Sequence, residues 1–263
     1  DLQGAQTESR FRGIGRYALS LTREIARRNR GHEILVIGNE ALPVSAEDLH
    51  RDLQGTVPLG NIKMFSVPAP VAWRSDANAW RRGAAELARE SFIHQLRPDA
   101  VLVTSLFEGS QDDAVLSIGR LPDARFPTLA VLYDLIPLLN PDKYLGAKWV
   151  HDWYFRAVEH LQRADLLLSI SEHSKEEAHE VLRLERDRIA TISSACDESF
   201  RVIPLTQEQL QALRESHGLT GAFVLCTGAM DERKNISRLV HAYAALPPEL
   251  IARYQLALAG KWH

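Results

Sequence analysis

The chain has 263 residues, 45% of them hydrophobic and 25% charged, which is the balance of a globular protein with one large or two ordinary domains. Its net charge of −3 excludes a general electrostatic attraction to nucleic acid. No apolar run approaches the roughly 20 residues that span a bilayer, and Cys196 and Cys226 lack the spacing of metal ligands. Two such cysteines suggest a reducing compartment, so we expect a cytoplasmic protein.

Strand and helix patterns alternate through the first part of the chain. The polar residues 1–12 predict a mobile loop, and prolines and glycines predict that residues 40–60 are mostly irregular. Apolar runs predict strands at 33–37, 62–67, 100–104, 128–132, 165–170 and 188–192. Periodic apolar residues predict helices at 13–30, 75–96, 147–163 and 171–184, and a short one from 112 or 113 to 120. In the second of these helices, Trp80 and Leu87 lie along one side. The alternation indicates a parallel sheet covered on both faces.

A second domain is predicted after the segment 196–204, which has no clear period. The predicted boundary gives the domains 1–202 and 203–263. In the second domain, a capping box precedes a helix at 207–216, and the apolar run 223–226 predicts a buried strand. Residues 203–263 are few for a doubly wound domain, so we expect a longer protein of which this chain alone is inactive.

Two adjacent cations, Arg233 and Lys234, lie between the strand that ends before Gly228 and a following amphipathic helix. A strand-to-helix turn at the carboxyl edge of a parallel sheet is a common ligand site, and the N–H groups that open a helix favour anions. An arginine fork beside a lysine charge would therefore suit a diphosphate. The alternative is that both side chains are solvated surface charges.

A Gly-x-Gly-x-x-Ala turn at 13–18 has the letters of a dinucleotide-binding fingerprint, and Glu33 or Glu40 lies where a ribose-binding acid would be. This pattern keeps open an NAD-binding Rossmann oxidoreductase. However, the fingerprint requires an apolar strand directly before its first glycine. Residues 8–12 are polar instead, so the match is poor.

Four motifs, in this order, resemble those of the family-four retaining glycosyltransferases, which have the GT-B fold. They are Gly13-Ile-Gly-Arg-Tyr17, Tyr133-Asp-Leu-Ile-Pro137, Ile170-Ser-Glu-His-Ser174 and Asp231-Glu-Arg-Lys-Asn235. The resemblance implies an α/β protein with a Rossmann-like, doubly wound acceptor domain and the beginning of a second Rossmann-like domain that binds a nucleotide sugar. It also implies that Arg233 and Lys234 neutralise the donor diphosphate, with Gly228 and Asn235 beside them.

The resemblance assigns further residues to the carboxyl edge of the first domain. The candidates for contact with the donor or the acceptor are Gly13, Gly15, Arg16, Tyr133, Asp134 and His173, together with Glu108, which follows an apolar strand and therefore projects from the same edge. Asp134 is the first choice for an acceptor hydroxyl and Glu108 the second, while Tyr133 replaces a histidine that the family often has. The structural alternative for Asp134 is an Asx turn before Pro137.

The implied reaction moves a sugar, taken as mannose from GDP-mannose, to a hydroxyl of a glycan with retained configuration, in polysaccharide biosynthesis. Arg233, Lys234 and Asp134 would be catalytic, and no cofactor or metal is expected because the two cations take the charge of the leaving diphosphate. A lipid-linked glycan acceptor would bring the protein to the inner face of the membrane. The alternatives are the oxidoreductase and a non-catalytic fragment that binds a sugar nucleotide. We expect four tryptophans to lie in the core or at an interface rather than against a bound sugar: Trp73, Trp80, Trp149 and Trp153.

Overall fold

The computed structural model describes residues 1–122, 126–198, 200–228 and 232–260. The chain divides into two compact units, Asp1–Asp197 and Glu198–His263. Every described strand pair in both units is parallel, and a helix lies between each two successive strands except β3 and β4, whose described connection contains none. The predicted α/β class is therefore confirmed.

The first unit contains two parallel sheets, in the strand orders β1–β2 and β3–β4–β5–β6. Their strands are β1 (Val36–Asn39), β2 (Ile62–Phe65), β3 (Val101–Val103), β4 (Thr128–Leu132), β5 (Leu166–Ser169) and β6 (Ile189–Thr191). The backbone of Asp1 and Leu2 connects the sheets. The Leu2 N–H donates to the Ile37 carbonyl at 3.0 Å, and the Thr104 N–H donates to the Asp1 carbonyl at 3.3 Å.

Seven helices of the first unit are described: α1 (Gly13–Arg27), α2 (Ala46–Asp52), α3 (Ala79–Gln95), α4 (Ile136–Leu139), α5 (Pro141–Tyr144), α6 (Lys148–Arg163) and α7 (Glu172–Leu182). The Ser171 hydroxyl accepts the Ser174 N–H and caps α7, as the sequence predicts. Ser45 and Asp48 form a capping box for α2, so the prediction that 40–60 is mostly irregular missed a helix.

Two clusters of buried apolar side chains support these elements. The larger contains residues of β3 to β6 and of α6 and α7, with Leu132 and Leu161 fully buried. The smaller joins β1 and β2 to α1 and α2 and includes the buried side chains of Val36 and Leu49. Each fully buried leucine stabilises the fold by about 1.5–3 kcal/mol.

Residues 1–12 are ordered by buried amides, so the prediction of a mobile loop is wrong. They contain two 3-10 turns, Gln3–Ala5 and Glu8–Phe11. The Gln3 amide exchanges two hydrogen bonds with the Val115 backbone, and Gln6 accepts the Asn39 N–H at 2.7 Å. These partners are distant in sequence, and they satisfy polar groups that look solvent-exposed when the segment is considered alone.

Helix α3 buries three charged side chains beside Ile93, while two of its large apolar side chains are exposed. Trp80 and Leu87 are 67% and 40% exposed, whereas Glu86, Arg89 and Glu90 are buried. Glu90 accepts backbone N–H groups from 120 and 121, and His160 accepts one from 118. Because these groups bond to side chains elsewhere, the predicted helix at 112–120 does not form.

The outer side of α1 is bonded to the last residues of the first unit. The Tyr17 hydroxyl donates to the Ser193 carbonyl at 3.0 Å. The Arg23 guanidinium lies 3.4 Å from the Asp197 carboxylate and also donates to the Asp52 carbonyl at 2.8 Å. The segment at which the chain leaves the first unit is thus held by this helix.

The second unit contains the parallel strands β7 (Ala222–Thr227) and β8 (Tyr254–Ala259), with helices α8 (Gln207–Ser216), α9 (Ile236–Ala244) and α10 (Pro248–Arg253). The predicted capping box of Thr206 and Gln209 is present at α8. Leu225 of β7 is 56% exposed, so the prediction that this strand is buried is wrong. Among the described residues of this unit, Ile236 is the one apolar residue that is buried.

Throughout the described residues, no helix has both the length and the apolar character that a membrane crossing requires.

Candidate active site

The carboxyl ends of β3, β4 and β5 carry three of the predicted site residues. Glu108 follows β3, Tyr133 follows β4 and His173 follows β5. Because the three strands are parallel neighbours, these segments emerge at one edge of the sheet. The glycine turn at 13–15 is bonded to the same edge, because the Tyr133 hydroxyl lies 3.3 Å from the Ile14 carbonyl oxygen.

Glu108 is the centre of a buried cage of hydroxyl groups. The Ser105 hydroxyl donates to Oε1 at 2.7 Å, and the hydroxyls of Thr7 and Ser9 donate to Oε2 at 2.9 and 3.0 Å. Burial raises the pKa of Glu108, and the three hydrogen bonds oppose that rise. The carboxyl group therefore fixes the segment that leads into the glycine turn.

The two glycines of the turn have different surroundings. Gly13 is the exposed first residue of α1, and a Cβ added there would meet no atom within 4 Å. Gly15 is buried, and a Cβ there would lie 2.3 Å from the Ser9 carbonyl oxygen and 2.4 Å from Arg10 Cα. Gly15 thus allows the 3-10 turn at 8–11 to pack directly on the helix. The side chain of Arg16, the next residue, is exposed.

Tyr133 connects the glycine turn to the sheet. Its hydroxyl is 2.9 Å from the Thr104 carbonyl and 3.3 Å from the Ile14 carbonyl, and its ring meets the edge of Tyr17 with centroids 5.5 Å apart. Burial, with smaller effects of Tyr17 and Glu108, raises the pKa of Tyr133. This hydroxyl stays protonated and acts as a donor, so it holds the turn rather than supplying a base.

Asp134 and His173 lie on the surface of the same edge. Asp134 Oδ1 accepts the Ile136 N–H at 3.1 Å, which is the Asx-turn geometry, and the Asp134 side chain is exposed. The His173 ring is 83% exposed and its Nε2 lies 3.2 Å from Glu177 Oε1, one turn along α7. Both side chains are accessible to a ligand, and their predicted roles stay predictions.

The cationic turn of the second unit follows the carboxyl end of β7. Gly228 has φ +150°, outside the range that other residues adopt easily, and its N–H donates to the Ala259 carbonyl at 2.9 Å. Arg233 and Lys234 are exposed in a 3-10 turn, and Asn235, with φ +52°, is the N-cap residue that precedes α9. Asp231, the acidic residue of the predicted motif, lies outside the described residues.

The side chains that sequence reasoning missed are those of the hydroxyl cage, Thr7, Ser9 and Ser105. Nothing in the local pattern distinguishes Thr7 and Ser9 from solvated loop residues, because their partner is about 100 residues away. In the parts of the chain that are described, no group of three or more His, Cys, Asp or Glu side chains is placed to hold a metal ion.

The parallel α/β fold is consistent with the glycosyltransferase that the motifs predict, and comparison with known families makes the assignment. Residues 11–200 match the model of Glycosyltransferase Family 4, so the chain belongs to that family. Residues 8–11 form a 3-10 turn rather than a strand, so the strand required by the NAD fingerprint is not formed before Gly13. The oxidoreductase hypothesis is therefore set aside.

Two named relatives are mannosyltransferases of Escherichia coli. The chain is 36% identical over 262 residues to "Serotype-specific mannosyltransferase WbdA", covering 99% of this chain and 31% of the relative. It is 34% identical over 103 residues to "O-antigen chain mannosyltransferase B", covering 39% of this chain and 26% of the relative. The chain thus spans less than a third of the length of these relatives.

Among solved structures, the chain resembles a glycosyltransferase from Rickettsia africae ESF-5 with 12% identity and a TM-score of 0.46, covering 95% of this chain and 66% of that one.

Proposed function

We propose that this chain belongs to a retaining mannosyltransferase that moves mannose from a nucleotide sugar to a hydroxyl of a growing O-antigen glycan. The observation that carries this proposal is the 36% identity to a mannosyltransferase over nearly the whole chain. GDP-mannose is the proposed donor. The proposed acceptor is a glycan, either free or lipid-linked, and the lipid-linked form would bring the protein to the inner face of the membrane.

The proposed chemistry breaks the bond between the anomeric carbon of mannose and the diphosphate oxygen, which leaves with the electron pair. An acceptor hydroxyl oxygen forms the new bond on the same face of the sugar and gives its proton to an oxygen of the departing diphosphate. Negative charge develops on the diphosphate as it leaves. Arg233 and Lys234 would stabilise that charge in the transition state, so no metal ion or cofactor is required.

The structure supports this role through the position of the two cations. They are exposed, they follow a parallel strand at its carboxyl end, and they precede a helix whose first N–H groups favour anions. In the first unit, Asp134 is the proposed contact for the acceptor hydroxyl. The glycine turn, with Arg16, is the proposed boundary of the substrate site.

The test is the double variant Arg233→Ala with Lys234→Ala in the complete gene product. Transfer of radiolabelled mannose from GDP-mannose to a mannose-containing oligosaccharide should fall about 10²–10³-fold in kcat, the size expected when transition-state donors are lost. The matched control is Arg253→Ala, which removes an exposed cation that precedes β8, at the amino end of the same sheet.

The control should keep full turnover. Equal kcat values in the double variant and the control would refute the role of the two cations. Competition by GDP against UDP identifies the nucleotide, and the configuration of the product, read by NMR of its anomeric proton, decides between retention and inversion.

A further inference from the structure

A small cavity lies beside Glu108, between α3, α6 and the segment that follows β3. Its volume is about 20 Å³, enough for one water molecule or one hydroxyl group. Two aromatic side chains and several ionisable ones line it, among them Trp73, Trp153, Arg82, Glu86, Arg156 and His160.

His160 presents a donor to this cavity. His160 Nδ1 lies 3.1 Å from the Ile118 nitrogen and 3.2 Å from the Ile118 carbonyl oxygen, and we assign the ring proton to Nε2 because that atom faces the Glu86 carboxylate. The ring is 1% exposed, and Nε2 has no hydrogen-bond partner in the described structure. Such an unpaired buried donor is costly and calls for a ligand.

Glu86 presents the complementary acceptor. Its Oε1 lies 3.7 Å from His160 Nε2, too far for a direct hydrogen bond and suited to a bridging hydroxyl. Its Oε2 is bound by Arg156 at 3.0 Å and by Arg120 at 2.6 Å. Burial raises the pKa of Glu86, but His160 and Arg156 outweigh it and bring that pKa to about 2, so the carboxylate is ionised at neutral pH.

The two tryptophans of the cavity are held rigidly. The Trp153 indole N–H donates to the Glu108 carbonyl at 2.8 Å. The Arg82 guanidinium carbon lies 4.3 Å from the Trp73 ring centroid, and Arg82 also donates to the Ser75 carbonyl at 2.9 Å. Fixed aromatic surfaces beside charged hydrogen-bonding groups suit a sugar, which offers apolar C–H faces and hydroxyls.

We propose that this cavity receives one hydroxyl of a sugar unit of the glycan acceptor, which accepts from His160 Nε2 and donates to Glu86 Oε1, while the sugar ring lies at the mouth of the cavity beside Trp73 and Trp153. The inference rests on the proposed function and concerns a sugar other than the one that reacts. It gives Trp73 and Trp153 a ligand-binding role where the sequence alone favoured the core.

The direct test measures binding of an α-linked mannotriose to the 263-residue chain by isothermal titration calorimetry. Trp73→Ala should raise Kd about tenfold, the upper size of one aromatic contact, and Trp73→Phe should raise it less. The chain offers a matched control in Trp80→Ala. Trp80 also has an arginine over its ring, at 5.3 Å, but is 67% exposed and does not line the cavity.

Absence of trisaccharide binding would overturn the subsite and leave water as the occupant of the cavity. Equal Kd values in the Trp73→Ala and Trp80→Ala variants would also overturn it. If Trp73→Ala does not fold, an unchanged Kd in Trp73→Phe has the same consequence. Transfer assays separate this from the proposed function. Trisaccharide binding with no mannose transfer by the complete gene product refutes the function and leaves the subsite. Transfer with an unchanged KM for the trisaccharide in the Trp73 variants refutes the subsite alone.

Discussion

Replacing Gly15 with alanine tests whether the glycine turn is fixed by packing within the first unit. The added methyl would lie 2.3 Å from the Ser9 carbonyl oxygen and 2.4 Å from Arg10 Cα, where ordinary contacts begin at 3.4 Å. The obstructing atoms are backbone, so the turn at 8–11 must move by about 1 Å. Overpacking of this kind costs about 1–3 kcal/mol.

Gly13→Ala is the matched control, because it makes the same exchange two residues earlier in the same helix, where no atom lies within 4 Å. Alanine favours a helix over glycine by up to about 1 kcal/mol, and this gain is common to both variants. The difference between them should therefore be the packing cost, about 1–3 kcal/mol, with Gly15→Ala the less stable.

The assay is urea unfolding followed by tryptophan fluorescence, which reports mainly on the first unit because Trp73, Trp80, Trp149 and Trp153 all lie there. Hydrogen exchange of residues 7–12 should also accelerate in Gly15→Ala. If the two variants have the same free energy of unfolding and the same exchange rates, the packing explanation for Gly15 is refuted.

Two buried carboxyls should respond to pH in opposite directions. The pKa of Glu108 is raised by burial, so its contribution to stability is present below about pH 4.5 and lost as the pH rises through its folded value. Relative to wild type, Glu108→Gln should gain stability from pH 4.5 towards neutrality, and a pH-independent difference in urea unfolding would contradict this. The pKa of Glu86 is lowered from 4.5 to about 2, so roughly 3 kcal/mol of stability, present above pH 4.5, should be lost as the pH falls towards 2. Glu86→Gln should remove about 3 kcal/mol at neutral pH, whereas Glu159→Gln, a 54% exposed partner of Arg156, should cost no more than about 1 kcal/mol. Equal losses in these two variants would show that burial does not set the value of the ion pair.

The strands and the class of fold could be predicted because their signals are local. An apolar run such as 128–132 predicts a strand from its own residues alone, and β4 has those bounds. The capping box at Thr206 is equally local, since its two partners are three residues apart. The glycine and Arg-Lys-Asn motifs could be recognised for the same reason.

Side chains that depend on distant partners could not be predicted. Gln3 and Gln6 look like loop residues until their amides meet Val115 and Asn39. The charged side of α3 looks like a solvated face until Arg120 and Arg156 reach Glu86. The cage around Glu108 has the same origin: its hydroxyls belong to a segment that only the fold brings near it.

The bonds of α1 to residues 193–197 give this helix a mechanical consequence. Its first turn contains Gly13 and Gly15. Its outer side is bonded through Tyr17 and Arg23 to residues 193–197, the last residues of the first unit. A ligand that displaces the glycine turn must therefore either move residues 193–197 with it or break these hydrogen bonds and this ion pair. Movement of the glycine turn is in this way coupled, through one helix, to the backbone at 193–197.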